Sequence, residues 1–390
     1  MIGWWMAICQ YTTALFLRIR MTNMKNRDAK EILLTLLRTA LTDILPREPM
    51  RCKDWNEVLR LAMQQDVAAV AWQGLETLAA NNLIDELHPL DKGTKLQWAY
   101  AVERCVKRYN KQKRAIKHLA EIYAEREIRM MILKGYGLSL CYPTPEYRPC
   151  CDVDIWLYGD QQRGDEALRE TLGLKIDADK HHHTVFHIDG VMVENHFDFL
   201  NIHSHLSNRE LERELLRRTM EESLATDVEG ERVYLPPVNM HALFLVRHAA
   251  AHFAAVEILL RHVVDWAMFI KAHHSAIDWK WLYEVCREHK MDRFLDALNA
   301  YAIDFFDIDA EHIPSVTRRT DIEARILADI LQPEFSEQQP DGGLLRVVWF
   351  KCRRWWANRW KHRLVYRDGL ISTFLVQVHS HLLKPKTLRH

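Results

Sequence analysis

The chain has 390 residues, 48% hydrophobic and 27% charged, the mixture of a globular protein with room for two or three cores. Its 13 Gly and 12 Pro are too few for an all-β fold full of tight turns and favour long helices. Lys+Arg and Asp+Glu both total 53, so net charge gives no hint of a nucleic-acid partner.

Ile2 to Leu17 is largely apolar, with Trp4, Trp5 and Phe16, and the charges of Arg18 and Arg20 come after it. A secretory signal has the opposite order, and the stretch is short for a membrane span. Residues 1–27 are therefore read as an N-terminal extension outside the native fold, with Met21 or Met24 as alternative starts. From Asp28 to Ala80 apolar residues recur at helical spacing. Ile32, Leu33, Leu36, Leu37 and Leu41 make one stripe; Val58, Leu59, Leu61, Ala62, Val67 and Val70 make another, with Asp54 as N-cap. Asp91 to Arg126 reads as one long helix whose outer face (Glu103, Arg104, Lys107, Arg108, Lys111, Lys113, Arg114) is solvated.

The period changes at Ile128. Arg129 to Leu133 predicts a short strand feeding a turn at Lys134-Gly135, and Asp152 to Leu157 alternates polar and apolar residues as a half-buried strand does. Gln161 to Leu172 reads as a helix. Thr184 to His187 and Val191 to Phe197 flank Asp189-Gly190, a hairpin signal. From Asn208 onward the pattern is helical again: Leu211 to Leu224, Met240 to His273, and more helices past Phe306. Gln338 to Gly343 is the clearest linker. The eight cysteines form no CxxC pair, which suits reduced thiols in a cytoplasmic protein.

Two aspartates at i and i+2 on a strand project from one face, so Asp152 and Asp154 stand side by side with Val153 and Ile155 anchoring the other face. Such carboxylates suit Mg²⁺ (or Mn²⁺), a hard ion that leaves room for phosphate oxygens, and Glu194 in the following hairpin is the third candidate ligand. The segments LKGYGLSLCYPTPEYRPCCDVDIWL and GVMVENHFDFL carry these residues: Lys134-Gly135, Tyr142-Pro143, Arg148, Asp152, Asp154, Glu194 and His196, in that order. In them the chain resembles the uncharacterised nucleotidyltransferase family of bacteria. The resemblance covers roughly Ile128 to Leu200 and extends weakly to Leu260-Arg261 and Asp265.

The resemblance implies a polymerase-β-like nucleotidyltransferase fold, in which a Gly-Ser turn holds the triphosphate and three carboxylates hold one or two metals. This chain departs at the turn: Tyr136 follows Gly135 where serine is usual, and Ser139 comes later. On this reading Asp152, Asp154 and Glu194 are the catalytic metal ligands. Lys134, Gly135 and Arg148 face the nucleotide's phosphates, and His196 orients Glu194. The partners are a nucleoside triphosphate and an unknown acceptor. The expected architecture is α+β: a small mixed β-sheet nucleotidyltransferase core (127–206) flanked by N-terminal (28–126) and C-terminal (207–337) helical regions, then a linker and basic, Trp-rich segment (338–390). The alternative is a catalytically inactive binding module of the same fold.

Other clusters carry weaker signals. His181, His182, His183 and His187 are read as a solvated hairpin edge, because consecutive strand residues point to opposite faces. His248 and His252 lack the glutamate of a zincin motif and are read as packed helix residues. Asp198 is read equally as support for Glu194 and as a loop residue. Between 344 and 367, Arg346, Lys351, Arg353, Arg354, Arg359, Lys361, Arg363 and Arg367 alternate with Trp349, Trp355, Trp356 and Trp360. That pattern suits a peripheral contact with an anionic membrane or a polyanion and, equally, arginines snorkelling over a tryptophan-rich packing face. It gives no strong nucleic-acid signal.

Overall fold

The computed structural model describes residues 27–374, apart from 43, 86, 315, 341 and 342, and residue 376. The N-terminal extension before residue 27 and the end of the apolar stretch Leu370 to Val378 lie outside the described residues. In chain order the helices are α1 (Arg27–Leu41), α2 (Trp55–Gln64), α3 (Ala68–Ala80), α4 (Lys92–Ala124), a single turn α5 (Tyr136–Ser139), α6 (Gln161–Leu172), α7 (Asn208–Arg218), α8 (Val238–Ala255), α9 (Leu260–His273), α10 (Trp279–Glu288), α11 (Asp292–Phe306), α12 (Thr320–Leu331), α13 (Leu344–Ala357) and α14 (Arg359–Val365). The strands are β1 (Met131–Ile132), β2 (Val153–Trp156), β3 (His183–Ile188), β4 (Val191–His196), β5 (Leu224–Val228) and β6 (Glu231–Leu235). The fold is α+β, with one six-stranded mixed sheet flanked by helices.

The chain forms two compact units. The first comprises the described residues up to Glu103 with Ala249–His274 and Asp292–Leu364. It is helical, and the apolar stripes expected on α1 to α3 are buried. Asp54 caps α2 as its position predicts, accepting from the Glu57 N–H at 3.0 Å. The basic C-terminal segment adds α13 and α14 to this unit. Within it Lys361 is fully buried and pairs with Asp329 at 2.6 Å, Arg353 pairs with Glu337, and Arg325 stacks on Trp360. Trp349 and Trp356 stay exposed. Among the described residues no helix is long and apolar enough to cross a membrane.

The second unit, Arg104–His248 with Ser275–Met291 and the described residues from Val365, holds the sheet. Its strand order is β3-β4-β2-β1-β6-β5. The outer pairs β3/β4 and β5/β6 are antiparallel hairpins and β1/β2 is also antiparallel, while β2/β4 and β1/β6 run parallel. The Asp189-Gly190 turn has positive φ at both residues (52° and 68°), the geometry that suits the twist of a two-residue hairpin. The sequence pattern past Asn208 predicts helices only, and here the structure differs. α7 ends at Arg218, and Leu224 opens the hairpin β5/β6, closed by Glu229-Gly230 with φ of 56° and 98°. β6 pairs with β1, so the sheet draws on residues beyond 206.

One face of the sheet carries the core. Val153, Ile155, Phe186, Ile188, Val191 and Val193 pack against Ile116, Leu119 and Tyr123 of α4 and Ala167 and Leu168 of α6. A buried polar knot fixes α6 on this face: Asp165 accepts from Asn195 Nδ2 (2.9 Å), Thr184 Oγ1 (3.1 Å) and Gln161 Nε2 (2.7 Å). Because Asn195 lies between Glu194 and His196 on β4, the knot sets how those two point away from the core. Asp165→Ala strands buried donors of both strands of the hairpin and is expected to lower stability by about 2–3 kcal/mol in urea unfolding.

Candidate functional site

The site lies on the sheet face opposite α4 and α6. The parallel register of β2 and β4 sets Asp154 beside Glu194 and Trp156 beside His196, and the β3/β4 pairing brings His183 opposite His196. Asp154 is fully buried. The sequence predicts a half-buried strand here, but every residue of β2 is buried, since β2 is flanked on both sides by β1 and β4.

The Leu133 N–H donates to the Asp154 carbonyl at 3.0 Å, carrying the β1/β2 pairing one residue further and setting Lys134 beside Asp154. Lys134 Nζ lies 3.2 Å and His196 Nε2 3.1 Å from Asp154 Oδ1. His196 also lies 3.6 Å from Glu194 Oε2, and His183 Nε2 is 3.7 Å from Glu194 Oε1. Asp154 Oδ2 is buried with no hydrogen-bond partner.

Charges in this setting are strongly perturbed. Burial opposes ionisation of Asp154, but Lys134 and His196 outweigh it and hold its carboxyl far below the ordinary range. Burial likewise opposes a charged Lys134, yet Asp154, Asp152 and Glu194 together raise its affinity for a proton. His196, against the cost of its burial, is pushed up to about 9 by hydrogen bonds to Asp154 and Glu194. Burial and the like charge of Asp154 push Asp152 up. His183 and His182 are lowered by burial, to about 4 and about 2, and so are neutral near pH 7.

The predicted residues are brought together unequally. Asp154, Glu194 and His196 offer ligand atoms that all lie within 4.8 Å of one another. Asp152 falls just before β2 and is outside that group, though near enough to feel the charges of Asp154, Lys134 and Glu194. Arg148 is buried, and its Nη1 donates to the Gly135 carbonyl at 3.0 Å, so its observed part is to brace the turn. Gly135 itself needs its glycine, with φ 59° and ψ −113°. Tyr136, standing where the family pattern suggests serine, is buried in the core and stacks on Tyr109 of α4. Ser139 is buried too and donates to the Tyr136 carbonyl at 2.6 Å. His196 Nδ1 lies 3.2 Å from the carbonyl of Asp198, so it is the backbone of that residue that orients the ring.

Three contributions were not legible. Gln112 of α4 donates to the Asp152 carbonyl at 3.2 Å from within a helix read only for its periodicity. Glu212 of α7 accepts from the Phe199 and Leu200 N–H groups at 3.0 and 2.8 Å, and so fixes the loop that carries Asp198. Its apolar neighbours in sequence gave a helix but not a partner. The third is the histidine cluster. The reading of His181 to His183 as a solvated edge is corrected: His183 is buried, and His182, His183 and His196 form a second group with ligand atoms within 4.8 Å. Alternation does not apply across His182, because it sits in a bend before β3 begins.

The profile of a family described as uncharacterised nucleotidyltransferase matches residues 51–307, more than half of the chain. The chain belongs to this family. No curated protein matches it significantly. Among solved structures it is similar to an antigenic nucleotidyltransferase-like protein from Paracoccidioides brasiliensis, with 15% identity over 42% of this chain and 77% of that one. The TM-score is 0.32, too slight a likeness to carry an argument.

Two outcomes are expected. Removing the Lys134 charge leaves a buried carboxylate short of a partner. Lys134→Met is therefore expected to cost about 3 kcal/mol in urea unfolding, and adding Asp154→Asn to it to cost less than the sum of the two single changes. Burial pushes Glu212 up to about 7 despite the two N–H groups it accepts from, so the fold favours its neutral form. The stability it contributes is present below its ordinary carboxyl range and is lost as pH rises through about 7. The difference in unfolding free energy between the wild type and Glu212→Gln should accordingly fall by about 2–3 kcal/mol between acidic and neutral pH.

Proposed function

We propose that the chain transfers a nucleotidyl group from a nucleoside triphosphate to a hydroxyl-bearing acceptor, at the Asp154–Glu194 pair. The observation that carries this reading is the buried Asp154 carboxylate, one oxygen paired with Lys134 and His196 and the other, Oδ2, without a partner, beside Glu194 on the adjacent strand. Membership of the nucleotidyltransferase family supports it.

The donor set fits a divalent cation of the Mg²⁺ or Mn²⁺ kind. Asp154 Oδ2 and Glu194 would hold it, with the charge of Asp152 nearby. When bound, such an ion neutralises phosphate oxygens and stabilises the attacking and leaving oxygens of an in-line displacement. Lys134 then supplies positive charge toward the triphosphate while keeping Asp154 ionised. The Lys134-Gly135 turn, braced by Arg148, sets that ammonium at the edge of β1. Glu194 would either ligate the ion or accept the proton of the acceptor hydroxyl, and His196, fixed by the Asp198 carbonyl, holds Glu194 and Asp154 in register.

Titration calorimetry with ATP, GTP, CTP and UTP, each with Mg²⁺ or Mn²⁺, tests the reading. The expected result is metal-dependent binding of at least one nucleotide that Asp154→Asn weakens by tenfold or more. Binding that is equal in the variant, or no binding with either metal, contradicts it.

A further inference from the structure

The nucleotidyl-transfer reading uses Asp154, Glu194 and His196 and leaves His182 and His183 without a task. Both rings sit against His196: the centroid of His182 is 4.3 Å from that of His183 and 5.5 Å from that of His196, and His183 and His196 are 5.1 Å apart. The Nδ1 atoms of His182 and His183 are buried and have no hydrogen-bond partner. A buried polar nitrogen without a partner is costly, and two of them side by side call for a common ligand.

We propose that His182, His183 and His196 form a second cation site beside the carboxylate pair, for a divalent transition metal such as Zn²⁺. One ligand nitrogen from each ring lies within 4.8 Å of the others. Three nitrogens around a tetrahedral zinc stand about 3.3 Å apart, so small ring rotations complete the set. His196 Nδ1 faces the Asp198 carbonyl, the outer hydrogen bond that fixes a ligating imidazole, and its Nε2, 3.1 Å from Asp154 Oδ1, gives up its proton and exchanges that carboxylate for the metal. With Nδ1 of His183 on the metal, its Nε2, 3.7 Å from Glu194 Oε1, turns the outer N–H toward that carboxylate, and a water completes the four-coordinate set. Three imidazoles suit Zn²⁺, Co²⁺ or Ni²⁺ and are poor ligands for Mg²⁺, so this site and the carboxylates select different ions. The site binds metal whether or not the chain turns over a nucleotide.

The full chain, stripped of metal, is titrated with Co²⁺ and followed by its visible absorption. One equivalent is expected to bind with the intense d–d bands of a four-coordinate ion and no thiolate charge-transfer band. His182→Ala and His183→Ala should each weaken that binding by tenfold or more, while Asp152→Asn leaves it intact. Thermal melting checks that the variants fold; if the alanine forms do not, His182→Gln and His183→Gln keep the volume and take their place. A thiolate band, a six-coordinate spectrum, no binding, or an affinity unchanged in both histidine variants overturns the proposal.

Discussion

The second unit is organised around one buried charge. Asp154 sits on β2, flanked by β1 and β4, with no exposed surface, in an environment where an uncompensated carboxylate would cost several kcal/mol. Its partners are therefore set by the fold. Lys134 arrives from the end of β1 because the β1/β2 pairing extends through Leu133, and His196 arrives from β4 because the parallel register allows it. Arg148 braces the turn that carries Lys134, and Glu212 braces the loop that orients His196. The surrounding supports converge on one carboxylate whose second oxygen has no protein partner.

That arrangement links stability to chemistry. A carboxylate held ionised by two cationic neighbours keeps its ligand oxygen deprotonated at any physiological pH, which a metal-dependent site requires. The same neighbours occupy Oδ1, so on the proposed reading Oδ2 and Glu194 are the atoms that would meet an incoming ion. The opposite face of the strands is apolar apart from the Asp165 knot, and this division lets a short sheet carry a charged site and a core at once.

Much of this was legible in the sequence, and the reasons are physical. Period-two alternation in Asp152 to Leu157 and the Asp189-Gly190 turn fix which side chains share a face, and the helical stripes before Ala80 fix what is buried. What alternation cannot give is register between strands distant in sequence. It could not pair Asp154 with Glu194 rather than a neighbour, nor tell that Asp152 falls outside the strand. The hairpin Leu224–Leu235 escaped notice because its strands are short, polar and closed by Glu-Gly, a weaker signal than Asp-Gly. Residues that act through the backbone, such as Glu212 and Gln112, leave no pattern at all. His183 shows the converse: a residue expected at a solvated edge is buried.

The most direct test is anomalous diffraction from crystals grown with Mn²⁺ and a non-hydrolysable nucleoside triphosphate. A manganese peak is expected within bonding distance of Asp154 Oδ2 and Glu194, with the nucleotide's phosphates against Lys134. Nucleotide bound elsewhere, or manganese found only at surface carboxylates, would contradict it.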